Sequence, residues 1–256
     1  MKNIFSTLLA PSVLAAASIA IASSSASAFT FSANSDKVTI GSTDINKSFD
    51  ILFDGNVATQ NVNGLSSEAT FKFLGFTTIR TGTTTKTEAK FDIKLSNISN
   101  SGIISRASAL GFNVSRSLLG VGNDSGSGNT RTTGLFGNDR TGAFPNQFGD
   151  VDICFTDGPT CQGGSNGGVD NNPKTPIADS GNFTAILAFQ GAINSFDLNN
   201  FGVRYQSING NGFNGDSGTG RGKVKKKVPE PAMVTALGFV AVSALGLRKK
   251  NKKVTL

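Results

Sequence analysis

The sequence of 256 residues predicts an all-β fold: an antiparallel β-sandwich, jelly-roll-like or immunoglobulin-like, with long Gly/Asn-rich loops. A signal peptide and a single C-terminal transmembrane helix are expected to flank it. Three observations carry this expectation. Apolar residues recur at every second position in several stretches, the period of a strand with one buried face. No amphipathic helix stands out between residues 29 and 222. Gly supplies 31 residues while charged residues make up 16%, a Gly-rich, charge-poor balance compared with the ~7% and ~25% of ordinary soluble domains.

In chain order, Met1-Lys2-Asn3 opens a positive start, and Ile4 to Ala22 is a mostly apolar, Ala-rich run. Ser23 to Ala28 then ends in Ala26-Ser27-Ala28. A charged start, an apolar stretch and a small-x-small step make a secretory signal peptide over 1–28, cut after Ala28 to leave Phe29 first. Export implies passage through Sec-type machinery.

The exported body is expected over 29–208. Phe49, Ile51 and Phe53 alternate with Ser48 and Asp50, although Leu52 breaks the polar side. Ala69, Phe71 and Phe73 alternate with Thr70 and Lys72; Phe91, Ile93 and Leu95 with Lys90, Asp92 and Lys94. Phe201, Val203 and Tyr205 alternate with Gly202, Arg204 and Gln206. Phe183 to Ile193 is more continuously apolar, which suits a strand covered on both faces. Ile103 to Leu119 admits a helical reading that Gly102, Gly111 and Gly120 weaken. Phe is the expected main core filler.

Gly divides the body unevenly. Six lie in 29–110 and 23 in 111–222, concentrated in 120–142, 158–181 and 202–222. These stretches are expected to be long loops on the sandwich. The last, continuing as 209–227, is expected to be a flexible basic linker.

The residues that carry chemistry are few. With no His in the chain, imidazole-based triads, dyads and the commonest zinc sets are excluded. Cys154 and Cys161 flank Asp157-Gly158-Pro159, a turn sequence, and an isolated pair in an exported chain reads as a disulfide. Asp150, Asp152, Asp157, Asp170, Asn171, Asn172 and Asp179 supply oxygen ligands for Ca²⁺ if they converge, but their spacing matches no EF-hand and these are ordinary turn residues. No metal or other cofactor is expected. Asp150 with Asp152, or Asp54 with Glu68, are the nominal glycosidase pairs. Sugar sites are usually lined with Trp and Tyr, and this chain has no Trp and one Tyr, so an enzyme is not expected.

The C-terminal segment, 228–256, has its own order. Val228-Pro229-Glu230-Pro231 leads into an apolar run over 232–247, then Arg248-Lys249-Lys250-Asn251-Lys252-Lys253. Sixteen helical residues span about 24 Å, short of the ~30 Å hydrocarbon core unless flanking Lys and Arg snorkel. The basic tail 248–256 favours the cytoplasmic side and leaves the body on the opposite side of the membrane. The two prolines hold Glu230 in an extended segment suited to a protease cleft. No Leu-Pro-x-Thr-Gly occurs, and GPI tails end apolar rather than basic.

This order resembles the PEP-CTERM sorting signal of exported proteins of Gram-negative bacteria, including many cyanobacteria. The resemblance covers about a tenth of the chain and departs from the usual Arg-rich end by using Lys. It implies an exosortase as processing partner at Pro229, Glu230 and Pro231, with transient membrane insertion through 232–247 and Arg248, Lys249 and Lys250 as the stop. Final placement is then the cell surface or the extracellular space.

Charge separates body from ends. Residues 29–222 hold 14 Lys and Arg against 16 Asp and Glu, a net −2, and the rest of the chain carries a net +9. A nucleic-acid binder would carry basic charge on the folded body, so nucleic acid is excluded as a partner. The expected function is that of a non-enzymatic surface or matrix protein associated with extracellular polysaccharide. A carbohydrate-binding or carbohydrate-active protein with the same tag is the alternative.

Overall fold

The computed structural model describes residues 29–122, 126–164 and 166–225. Ala26 and Ala28, Pro229, Glu230 and Pro231, the span 232–247, and Arg248, Lys249 and Lys250 lie outside the described residues. Among those described, no helix is long and apolar enough to cross a membrane.

The chain forms β1 (Thr30–Phe31), β2 (Lys37–Gly41), β3 (Ser48–Phe53), β4 (Asn56–Val57) and β5 (Gln60–Asn61). A long hairpin follows, β6 (Ser67–Thr81) and β7 (Thr84–Asn97), then β8 (Ile104–Val114), β9 (Arg131–Gly134), β10 (Asn138–Phe144) and β11 (Gly149–Thr156). The last four are β12 (Val169–Asp170), β13 (Ser180–Gln190), β14 (Ser195–Gly210) and β15 (Phe213–Val224). All pairings are antiparallel, and the main path runs β10-β11-β8-β14-β15-β3-β6-β7-β13-β9.

This single sheet curls until its two halves face each other, close to a barrel. Phe71 on β6 meets Phe112 on β8 and Phe201 on β14, each with ring centroids 5.8 Å away. Phe155 on β11 meets Phe183 on β13 at 5.2 Å. The expected alternation fills this core. Phe49, Ile51, Phe53, Ala69, Phe71, Phe73, Phe91, Ile93 and Leu95 are all buried, while Leu52 is exposed. Each fully buried Phe contributes roughly 1.5–3 kcal/mol through lost water contact.

Two expectations are corrected. The described part of the expected 209–227 linker is not a flexible stalk: residues 213–224 form β15, which pairs with β14 through Val203↔Gly220 and with β3 through Leu52↔Lys223. It joins the two halves of the sheet. Three of its glycines serve close approach rather than freedom. A Cβ on Gly218 would stand 2.5 Å from the Asn56 carbonyl oxygen, one on Gly222 would stand 2.5 Å from Ile51 Cγ2, and one on Gly220 would collide with the Asp54 carbonyl. The expected loop 202–222 is likewise largely strand, in β14 and β15; 120–142 carries the short strands β9 and β10 between irregular stretches, and most of 158–181 is irregular, as expected.

The ambiguous stretch from Ile103 to Leu119 holds β8, which shows no period because both its faces are covered. Its inner face joins the Phe core. Its outer face lies under a second, small cluster of Ala109, Phe144, Phe148, Val151, Cys154 and Cys161. The Cys154–Cys161 disulfide is formed, with the Cα atoms 5.7 Å apart. Two buried arginines pin the loop that follows it. Arg106 donates to the carbonyls of Gly164 and Gly167 at 2.8 and 2.6 Å, and Arg204 to that of Gln162 at 3.2 Å. β9 is held at the other margin by a bidentate pair: Arg131 Nη1 and Nη2 reach Glu88 Oε1 and Oε2 at 2.7 and 3.0 Å.

Candidate functional site

Three separate segments converge on one polar cleft of about 290 Å³, lined by Asp54, Asn56, Thr59, Asn61, Asn146, Gln147, Phe148, Thr219 and Arg221. The first wall is the β4–β5 hairpin, whose two-residue turn is Ala58-Thr59 with φ of +47° and +69°. Such turns favour Asn-Gly because both central residues take positive φ. A β-branched Thr there is an outlier. The second wall is the β10–β11 connection, in which Asn146 and Gln147 also take positive φ, +56° and +60°. The third is β15, whose Thr219 pairs with Asn56.

Hydrogen bonds tie the walls together. The Thr219 hydroxyl donates to the Pro145 carbonyl at 3.2 Å, and the Arg221 backbone N–H donates to Asp54 Oδ1 at 2.6 Å. The Arg221 guanidinium stands 4.4 Å above the Phe148 ring and donates to the Phe148 carbonyl at 3.2 Å. None of the ion pairs among the described residues engages Arg221. The Thr59 hydroxyl and Gln147 amide make no hydrogen bond among the described residues. The cleft therefore offers amides, hydroxyls, one carboxylate and one guanidinium, a set that matches hydroxyl-rich ligands.

Two larger, more open depressions differ in character. One is lined by Ser48, Thr70, Lys72, Asp92, Lys94 and Thr184 among others. There the Thr70 hydroxyl already bonds Asp50 and the Thr184 hydroxyl bonds Asp92. The other, beside Arg116 and Asp152, has Asp152 accepting the Val114 N–H at 2.8 Å and Thr141 bonding the Val151 carbonyl at 3.1 Å.

The Asp and Asn residues considered for Ca²⁺ hold separate turns. Asp157 accepts the Gly137 N–H, Asp170 accepts the Asn172 N–H, and Asn171 bridges to the Ser99 and Ile103 carbonyls. Among the described residues, no three His, Cys, Asp or Glu side chains come together in a metal-binding group. Of the two nominal carboxylate pairs, Asp54 is engaged by Arg221 and Glu68 by Lys225, so that pair is divided between different partners, and in the other Asp152 accepts the Val114 N–H. Of the cleft residues, sequence reading singled out Asp54 alone. Arg221 and Thr219 fall in the stretch expected to be loop or linker, and Asn146-Gln147 is marked only by the preceding Pro145.

Comparison of the chain with protein-family models, with curated proteins and with solved structures found no match in any of the three.

Proposed function

We propose that the chain is a non-enzymatic cell-surface or extracellular-matrix protein. It is exported through Sec-type machinery, processed by an exosortase at Pro229-Glu230-Pro231 and associated with extracellular polysaccharide. One observation carries the reading furthest: the two ends of the folded unit are tied together beside the two expected processing segments. Phe29 is buried, with its ring centroid 5.0 Å from that of Phe49. At the other end the Val224 N–H donates to the Ser35 carbonyl at 2.7 Å, and the Lys225 N–H donates to the Asp50 carbonyl at 2.8 Å. Removal of 1–28 and of the tail from about Ala232 leaves every described strand intact. On this reading the curled sheet is a β-sandwich whose faces share β15, and it serves as a rigid display scaffold.

Intact-mass measurement on protein from the native host tests this. The mature chain is expected to begin at Phe29 and to lack the tail from about Ala232. Retention of residues 248–256 on most molecules overturns the sorting reading and leaves a permanent single-span anchor. The carbohydrate-binding alternative is favoured by the polar lining of the cleft.

A further inference from the structure

We infer that the cleft between Asp54 and Arg221 binds a neutral sugar unit of an extracellular polysaccharide through its vicinal hydroxyls. This rests on the reading of the protein as one that faces such a polymer, and it adds the place and the chemistry of contact.

Four features point to this cleft. Its volume of about 290 Å³ lies at the low end of small-molecule sites, enough for one or two sugar rings and not for a folded partner. Its lining suits a polyol, because each sugar hydroxyl both donates and accepts while amides and hydroxyls do the same. The single carboxylate and single guanidinium balance in charge, which matches a neutral sugar better than a uronate or an amino sugar. Lastly, Thr59 and Gln147, held at φ of +69° and +60°, are the lining residues at the two turn tips and have no internal hydrogen-bond partner. Backbone strain of this kind persists where the surrounding structure imposes it and gathers at binding sites.

The competing depressions have no non-glycine residue at positive φ in their lining, and like Thr219, Asn146 and Asp54 of the cleft they carry polar groups that are already bonded. In the groove beside Lys72 and Lys94, two threonine hydroxyls are already bonded to Asp50 and Asp92. In the one beside Arg116, Asp152 and Thr141 are bonded to backbone groups. Weak binding is expected from the cleft. The Phe148 ring lies beneath Arg221 and against Gly202, so it offers no free face for stacking on a sugar.

Saturation-transfer NMR tests the inference, using the full chain in a zwitterionic detergent without sugar headgroups. The probes are cellotetraose, maltotetraose and a mannotetraose, with an alginate tetrasaccharide as the charged comparison. Transfer to at least one neutral probe is expected, with a dissociation constant of order 1 mM. The double variant Thr59→Gly/Gln147→Gly should weaken it at least tenfold without lowering the melting temperature, since glycine accepts positive φ. Lys72→Ala/Lys94→Ala should leave it unchanged. Three results overturn the inference: no transfer to any neutral probe, equal transfer in the cleft variant, or preferential alginate binding lost in the lysine variant. None of these touches the processing reading, which stands or falls on the mass of the mature chain.

Discussion

The ring of Phe148 occupies the space that a side chain at Gly202 would need: a Cβ there would stand 2.7 Å from Phe148 Cζ. Gly202 lies in β14 opposite Gly111 of β8, and a Cβ on Gly111 would in turn stand 3.0 Å from Phe144 Cε2. Two paired glycines thus bare the sheet backbone so that the small outer cluster can settle on it. Phe148 in turn carries Arg221 into the cleft.

Gly202→Ala is therefore expected to cost about 1–3 kcal/mol by overpacking. Gly41→Ala is the control, because its Cβ would meet atoms no nearer than 3.5 Å. Thermal melts compare the two. An equal shift for both would show that Phe148 can move aside at no cost.

Phe71 touches Phe49, Phe91, Phe112 and Phe201 and is fully buried, while Lys72 is exposed. Phe71→Ala should cost on the order of 3–5 kcal/mol, a cavity adding to the lost burial. Lys72→Ala should cost under about 0.5 kcal/mol. Denaturant titration of both variants measures the contrast.

Tyr205 is wholly buried, and its hydroxyl and the buried Ser67 hydroxyl are polar neighbours that do not reach ordinary hydrogen-bond geometry with each other or with any other described group. Burial pushes the phenol well above its ordinary range. Tyr205→Phe removes an unsatisfied polar group from the core and should be neutral or stabilising by about 1 kcal/mol. A loss of more than about 1 kcal/mol, read by thermal melt, would show that the hydroxyl is satisfied in the folded protein, by Ser67 or by a bound water.

Burial works to raise the Glu88 carboxyl, but Arg131 and the Gly128 N–H prevail and hold it below the usual 4.5. A depressed folded value means that the stabilisation is present above the unfolded value and disappears as pH falls through the folded one. Wild type should exceed Glu88→Gln in stability by a constant margin above about pH 5, and that margin should shrink below about pH 4. Melting curves from pH 7 to pH 3 check the sign. A margin that grows on acidification contradicts the assigned direction.

Much of the main core was legible because its signal is local. In β3, β6 and β7 each strand has one core face and one face of charged or polar side chains, so alternation at Phe49–Phe53, Ala69–Phe73 and Phe91–Leu95 names the buried residues directly. The cysteine pair was legible for a similar reason, since six intervening residues with a turn leave few other ways to place it. β8 was harder. Both its faces are covered, by the Phe core on one side and by the outer cluster and the arginine-pinned loop on the other, and alternation vanishes. In β14 the alternation of Phe201, Val203 and Tyr205 named the core face, but not that Gly202 and Arg204 on the other face are covered as well. The cleft was nearly invisible. Its walls come from residues 54–61, 146–148 and 219–221, and no local pattern links segments so far apart.

The sequence by itself determined which side chains of the one-sided strands face inward, that the body is antiparallel β, and that Cys154 can reach Cys161. The tertiary structure decided what the glycines are for. A glycine serves either as a hinge that turns the chain or as a gap that lets another chain segment approach, and the residue itself does not distinguish the two. Gly218, Gly220 and Gly222 read as linker until the backbone of residues 54–56 and the side chains of Ile51 and Phe53 are seen against them. Only that packing turns a supposed stalk into β15, the strand that joins the two halves of the sheet and carries Arg221 to the cleft.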